Sequence, residues 1–367
     1  MSGTTTNLEL FKYAPNTDGD QTFNIDNALN NNFDKLDTFA GTVNTALTNL
    51  GNGKDNTSLD NLNATGQAKF DAKADKDFTY KTFKRLDEGE NLATKFATEI
   101  ANYSTIYDWL SARKTAGNFE GINIGDYFTT SLSAGTIAGY TIAAQSFTCR
   151  IIGINTYKNC GDEPIGNMFY IKSDEVIDTP ILWNPNNNNN GTGSQNNPWL
   201  ASAMYTVLNG GNNYAKGYNN VYHGANGGNG IISLLPSALR NVMITKRALL
   251  ESRYSSSGLL NEGTTWAWGD MGKLWLPNEV EVYGHMVMSH GRSNPSYSNG
   301  LSIQFPYFAN NCERRISYDS QGNRCTWWLS VPASNNSTDV CRVSYDGRAT
   351  HHNATASTFY APLCFCI

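Results

Sequence analysis

The chain has 367 residues, a formal net charge of −5, only 16% charged residues and 33 glycines. That length admits two or three domains, each able to bury a core, and the sparse, unclustered Lys and Arg argue against a nucleic-acid partner. The opening MSGTTTNLEL has neither a basic nor an apolar leader region, and no apolar run approaches about 18 residues, so neither a secretory signal nor membrane insertion is expected.

Composition shifts near residue 105: all eight Trp and all seven Cys come after it. Three regions are expected: 1–55, an arm with an oligomerisation helix; 56–107, a linker or helical shaft; and 108–367, a large domain. In the first, Ile25, Leu29, Phe33, Leu36, Phe39, Val43, Leu47 and Leu50 recur at steps of three and four, a helical stripe close to a coiled-coil period. The Asn, Asp and Thr between them are poor formers of a lone helix. Ile25, Leu29, Phe33, Leu36, Val43 and Leu47 are therefore expected to pack in a homo-oligomer, with packing inside their own domain as the alternative. NLGNGKD (49–55) breaks the helix. A second helical stretch, Asn91 to Ser111, carries Leu92, Phe96, Ile100, Tyr103, Ile106 and Leu110.

From Gly121 onward INIGDYFTTSL, GTIAGYTIAAQSF, CRIIGINTY and NMFYIKS alternate with period two between Gly and Asp bends, which predicts antiparallel strands. NPNNNNNGTGSQNNPW (184–199) is a low-complexity loop. Helices are expected around Trp199–Leu208 and Ile231–Met243. LWLPNEVEVYG and SIQFPYF complete an α+β domain. The chain closes on 327–367, whose two ends are core-forming and whose middle is polar. Over Val340–Ser344, Cys341 and Val343 should face inward, and Arg342 and Ser344 outward. Cys364 and Cys366 share a strand face and read as reduced core thiols.

No catalytic group is expected. His223, His285 and His290 lack a neighbouring Cys or Ser constellation, and Cys341 packs inward rather than into an electropositive setting. Adjacent His351 and His352 point to opposite faces of a strand and are poorly placed to chelate one metal. No cofactor is expected, with a calcium site as the open alternative that no motif supports: it would need clustered carboxylate and amide oxygens, and Pro277-Asn278-Glu279 reads as structural. The tail instead carries the Tyr, Ser, Asn and Arg mixture of antibody paratopes, on loops held by a scaffold. Its candidate binding residues are Ser330, Ser334, Asn335, Asn336, Asp339, Arg342, Ser344, Tyr345, Asp346, Arg348, Thr350, His351, His352, Asn353, Thr355, Phe359 and Tyr360.

NLELFKYAPNTDGDQTFNIDNALNNNFDKLDTF (7–39) resembles the N-terminal attachment segments of bacteriophage tail proteins, through Asn30, Asn32, Phe33, Leu36 and Asp37. SLDNLNATGQAKFDAKAD (58–75) is similar to a repeat of tail fibres and collar proteins. Residues 108–367 resemble a C-type-lectin-like domain of gut bacteria and their phages. The matching residues are Gly125-Asp126-Tyr127-Phe128, Ile152-Gly153, Asn159-Cys160-Gly161-Asp162, Ser202-Ala203-Met204, Leu274-Trp275-Leu276, Glu279, Tyr283-Gly284, Gln304-Phe305-Pro306, Trp327-Trp328-Leu329 and Gly347. The chain departs from that pattern at Asn167–Tyr170, where the family often has a His-rich strand, and at Ser330, where it often has Arg.

The resemblance implies an α+β fold class in which an N-terminal extended arm and oligomeric, coiled-coil-like helices precede a C-type-lectin-like domain. It implies a phage tail fibre, made in a host cytoplasm and carried on the virion as a homotrimer. Its N-terminus would attach to tail or baseplate proteins, and its C-terminal face would bind a bacterial surface receptor, protein or glycan. A structural tail component without receptor binding and a relative of the formylglycine-generating oxidases, which share the fold, are the alternatives. Some members are the variable proteins of diversity-generating retroelements, whose randomised AAC and AAT codons cannot become Lys, Glu, Gln, Met or Trp. The 39 residues after Trp328 contain none of these five, against 48 in the first 328, where average usage predicts about six.

Overall fold

The computed structural model describes residues 3–4, 11–12, 29–52, 88–185, 187, 197–211, 229–250, 267–289, 302–309, 311–333 and 337–367. Ile25, the 58–75 repeat, most of the Asn-rich loop, His223, His290 and Ser334, Asn335 and Asn336 lie outside the described residues. The chain divides into two units, residues 1–82 and 83–367.

In the first unit, β1 (Gly3–Thr4) pairs antiparallel with β2 (Phe11–Lys12). Helix α1 spans Asn31–Asn52. Thr38, Thr42, Thr45 and Thr48 each donate to the carbonyl four residues back, at 2.8–3.0 Å, so their hydroxyls are satisfied within the helix. The apolar stripe is different: Phe33 and Leu47 are each 62% exposed, and Leu29, Leu36, Phe39 and Val43 are exposed with them.

The second unit is α+β. It begins with α2 (Leu92–Lys95), α3 (Ala97–Ile100) and α4 (Ile106–Ala116), where the sequence predicts one helix from Asn91 to Ser111. Phe96 leaves helical geometry at φ −115°, ψ 28°. After Ile100 the run Ala-Asn-Tyr-Ser-Thr ends on Thr105, whose extended backbone and side-chain bond to the Asp108 amide cap a new helix. Gly117, at φ 65°, closes it. The expected boundary at 108 also moves. Buried Asp126 accepts the Glu90 amide at 2.9 Å, the Asn123 amide at 2.9 Å and Lys95 Nζ at 2.7 Å, and Leu92 is fully buried. Residues 88–107 thus pack as part of this unit rather than in a separate shaft.

Strand β3 (Tyr127–Leu132) pairs antiparallel with β6 (Gln145–Ile154), and β6 with β7 (Phe169–Val176). Between β3 and β6 lies the hairpin β4 (Gly135–Ile137) and β5 (Tyr140–Ile142), turned by Ala138 and Gly139, both at positive φ. The run expected as two strands, up to Phe147 and from Cys149, is one ten-residue β6 with an irregularity between Ile151 and Gly153. β7 also pairs with the last strand, β15 (Pro362–Cys366), and in parallel with β10 (Ser317–Tyr318), which pairs with β11 (Arg324–Cys325). Its first five residues are all buried, as befits a strand covered on both faces. A second sheet runs β12 (Trp327–Pro332), β13 (Asp339–Val343) and β14 (Ala349–Asn353), and β8 (Arg247–Leu250) pairs with β9 (Ala267–Asp270).

Helix α5 (Ala203–Asn209) starts four residues later than expected, where Ser202 caps it. The helix expected over Ile231–Met243 is divided at Pro236 into a 3-10 turn, Ile231–Leu234, and α6 (Ser237–Val242). Helix α7 (Glu279–Tyr283) opens with a capping box: Asn278 Oδ1 accepts the Glu281 amide and Glu281 Oε2 accepts the Asn278 amide, both at 2.9 Å.

The buried tryptophans weld these elements. Trp183 donates to the Leu329 carbonyl at 3.2 Å, Trp199 to Met271 at 2.9 Å, Trp327 to Arg315 at 3.0 Å and Trp328 to Ile181 at 3.0 Å. Each indole fills core volume while satisfying a carbonyl on a distant segment. At the centre, Lys246 Nζ forms a buried ion pair with Glu281 and lies 4.3 Å from the Trp275 ring centroid. The Tyr157 hydroxyl donates to the same carboxylate at 2.9 Å and accepts the Ile303 amide at 3.0 Å.

Removing one partner of a buried ion pair strands the other. Glu281→Gln should therefore lower unfolding free energy by about 3–5 kcal/mol, read by urea denaturation. The double change Lys246→Met with Glu281→Gln should cost clearly less than the sum of the two single changes. Strict additivity would mean that the pair is not coupled.

Candidate functional site

The polar tail is held at both ends. All six residues of β12 are buried, as are all five of β15. The C-terminal Ile367 exchanges two backbone hydrogen bonds with Phe169, at 2.9 and 3.1 Å. Between these anchors the chain forms the β13–β14 hairpin, registered from Asp339↔Asn353 to Val343↔Ala349. Its turn is closed by the Ser344 amide on the Arg348 carbonyl at 2.9 Å and by Gly347 at φ 85°. Tyr283 Oη donates to the Gly347 carbonyl at 3.3 Å, and the Tyr345 amide donates to Thr326 Oγ1 at 3.2 Å. The turn is therefore fastened from α7 and from the residue before β12.

One face of the hairpin carries a stack of rings and charge. The Arg342 guanidinium lies 4.2 Å from the Phe359 ring centroid. His352 and Trp328 each meet Phe359 edge-on, with centroids 5.1 Å away. Register explains the gathering: Trp328 pairs with Arg342 and Arg342 with Thr350, so these side chains share a face. Burial, with Arg348 adding to it, holds the Arg342 guanidinium below its ordinary pKa. Beyond the stack, Tyr345 is 55% exposed and the Arg348 side chain 72% exposed. Asp346 pairs with Arg348 at 3.2 Å, and His351 Nδ1 stands 2.7 Å from Asp339 Oδ2.

The expected binding residues thus separate into three groups. Asp339, Arg342, Tyr345, Asp346, Arg348, Thr350, His351, His352 and Phe359 lie on or beside the hairpin surface. Ser330 and Ser344 are buried, at 5% and 4% exposure, and are corrected from binding to framework positions. The Ser330 amide donates to the Pro277 carbonyl at 3.0 Å. Asn353, Thr355 and Tyr360 are half-buried and bonded locally. Asn353 Oδ1 accepts both the amide and the hydroxyl of Thr355, at 3.0 and 2.7 Å, and Tyr360 is bridged to Trp327. Trp328 and Tyr283 were not among the expected site residues, yet they form the floor of the stack and the tether of the turn.

Cys341 and Val343 are buried, as the alternation predicts, but Val340 is fully buried too. All seven cysteines are free thiols. Burial pushes the Cys364 thiol up to about 12 and holds Cys149 well above its ordinary value. Both thiols are buried and lack the open setting of a reactive cysteine. Glu279 is fully buried, and its carboxylate accepts the amides of Val287, Met288 and Ser289 together with the Ser289 hydroxyl, at 2.7–3.0 Å. With Asn278 capping α7, the oxygens of Pro277-Asn278-Glu279 are engaged in holding loops. Among the described residues no group of three His, Cys, Asp or Glu is placed to hold a metal ion, and no helix is long and apolar enough to cross a membrane.

No curated protein matches the chain. No solved structure matches it either. A family model matches residues 168–367, from the strand that centres the main sheet to the C-terminal residue. That span is more than half of the sequence and takes in β7, the Trp275 and Lys246 core and the whole framed hairpin; the chain belongs to the family described as Domain of unknown function (DUF6273).

Proposed function

We propose that the protein is a phage tail fibre whose C-terminal, C-type-lectin-like domain binds a structure on the bacterial surface. The observation that carries this reading is the hairpin: an Arg342–Phe359–His352 stack and an exposed Tyr345–Arg348 turn, mounted on a frame of buried Trp and β15 residues. Aromatic rings and Arg are the side chains most enriched at binding hot spots. A rigid mount lowers the ordering cost of association. The missing Lys, Glu, Gln, Met and Trp after Trp328 support the view that this face is diversified at the gene level.

The N-terminal unit supplies the second part of the reading. Five large apolar side chains of α1, with Leu29 just ahead of it, are exposed at coiled-coil spacing. The same stripe on two further copies covers them in a closed, parallel trimer. Three receptor faces on one fibre would raise a weak single-site affinity through effective concentration. The arm ahead of the helix attaches the trimer to tail or baseplate proteins.

Binding is checked by incubating fluorescently labelled full-length protein with a panel of gut bacterial isolates. At least one isolate should bind it. Tyr345→Ala and Arg342→Ala should each weaken that adhesion by about tenfold or more, with thermal melting of Tyr345→Ala unchanged. Undiminished adhesion of both variants would remove the hairpin from the receptor site. Light scattering should give a trimer for the native chain and a monomer for Leu36→Asp combined with Val43→Asp; a native monomer ends the coiled-coil reading. The thiols discriminate the oxidase alternative. Exposed Cys312 should react with iodoacetamide first, while Cys149, Cys341, Cys364 and Cys366 should label only on unfolding. Rapid labelling of Cys341 in the native fold would favour an enzyme.

A further inference from the structure

Away from the hairpin, the second unit has a pocket of about 470 Å³ between the end of α5, the Ile231–Leu234 turn and α6. Its volume falls in the range, roughly 300–1,000 Å³, of sites for small ligands. Polar side chains line most of it: Asn209, Asn229, Ser233, Arg240, Asn241 and Lys273. Among the described residues no carboxylate lines it. Part of the wall is glycine backbone, Gly210, Gly211 and Gly230, and Gly230 packs so closely on its neighbour that an added Cβ would come within 2.2 Å of the Gly210 nitrogen. The pocket therefore offers donors, two cationic side chains and close access to the main chain.

Arg240 is the unusual member. The other partly buried arginines among the described residues of this unit are matched by a carboxylate or a ring: Arg113 by Glu99, Arg150 by Asp174, Arg247 by Asp162, Arg314 by Tyr307, Arg315 by Tyr283 and Arg342 by Phe359. Arg240 is half-buried, yet among the described residues no carboxylate, ring or hydrogen-bond acceptor meets its guanidinium, and its Nε is buried without a partner. Lys273 Nζ donates to the Arg240 backbone carbonyl at 3.0 Å, which places the ammonium beside the same opening without neutralising it. A desolvated donor left unpaired is unfavourable, and a guanidinium fork is shaped for two oxygens of one anion. Asn241 and Ser233 suit hydroxyls next to that anion.

We propose that this pocket binds an oxyanion-bearing saccharide, a sugar acid or a sugar phosphate. Arg240 grips the anion, Lys273 contributes the second charge, and the amide and hydroxyl side chains meet the ring hydroxyls. The site is separate from the hairpin face and does not depend on that face being a receptor site.

The test is isothermal titration of the full-length protein at low salt with glucuronate, glucose 6-phosphate and neutral glucose. Saturable binding of one or both anions, without glucose binding, is the expected result. Glucuronate alone identifies a carboxylate ligand, glucose 6-phosphate alone a phosphate ligand, and both together an oxyanion in either form. Loss of one charge-assisted contact should weaken binding by about tenfold or more in Arg240→Gln and in Lys273→Gln. Tyr345→Ala should leave it unchanged, so this site and the hairpin face fail or stand separately. The proposal is overturned if neither anion saturates, if glucose binds equally well, or if both charge-removing variants keep native affinity. Should Arg240→Gln fail to fold, Lys273→Gln and the three-ligand panel on the native chain still decide.

Discussion

The buried pair of Lys246 and Glu281 is the constraint from which the arrangement of the second unit follows. Taking two charges out of water is unfavourable, and their attraction offsets the loss only when geometry is close to ideal and further hydrogen bonds complete the shell. Here the carboxylate also receives Tyr157 Oη and the Asn278 amide, and the ammonium lies against Trp275. Few positions of α7 satisfy all of these at once. Once α7 is placed, it places others. Glu279 gathers the Val287–Ser289 loop, Pro277 receives the Ser330 amide, and Tyr283 reaches the Gly347 carbonyl. A core ion pair is thereby linked through one short helix to the exposed turn.

This centre was only partly legible in the sequence. PNEVEVYG alternates acid and valine, which suits a half-buried strand with its acids in water. In the fold it is a helix with both acids buried. The overlooked signal was the Asn278–Glu281 spacing, the box of residues that opens a helix. Nothing local marks Lys246 as buried, because its partner stands 35 positions away and its ring cover comes from a third segment. The helix expected over Asn91–Ser111 failed for a related reason. Its apolar spacing was real, but Phe96 and Leu92 are drawn onto the domain core while Asp126 holds the chain at Glu90 and Lys95. Tertiary contacts overrode periodicity there, and Thr105 restarted the helix.

Strands were read more faithfully than helices. The alternation that signals a pleated strand is created by a sheet face: β3 falls within one stretch where it occurs, β6 joins two of them, and β7 begins in the last and runs three residues beyond it. Cys341 and Val343 face inward as the pattern says. Val340, one step out of phase, is buried because the opposite face of the hairpin is also covered, by Trp328 and Phe359. A single-period rule describes a sheet with one wet face, and β13 has two partly dry ones.

The tail shows where polarity misleads. Ser, Asn, Thr and Tyr in an irregular stretch look like residues displayed for contact, yet the same groups also close backbone turns. Ser344 and Ser330 are small enough to be buried under the frame, and Asn353 holds the Thr355 turn. A substitution at any of these would disturb the hairpin before it altered a surface. The positions free to change without strain are therefore fewer than the polar residues. They gather where the side chain leaves the frame: at Tyr345, Asp346 and Arg348 on the turn and at Thr350, His351 and His352 along the edge strand β14. The Arg342–Phe359 stack belongs to both classes, since it covers Trp328 and also faces outward. Variation that preserved a ring at 359 and a long side chain at 342 would keep the floor of the face intact while its rim changed. The frame limits substitution at the stack and leaves it open at the turn.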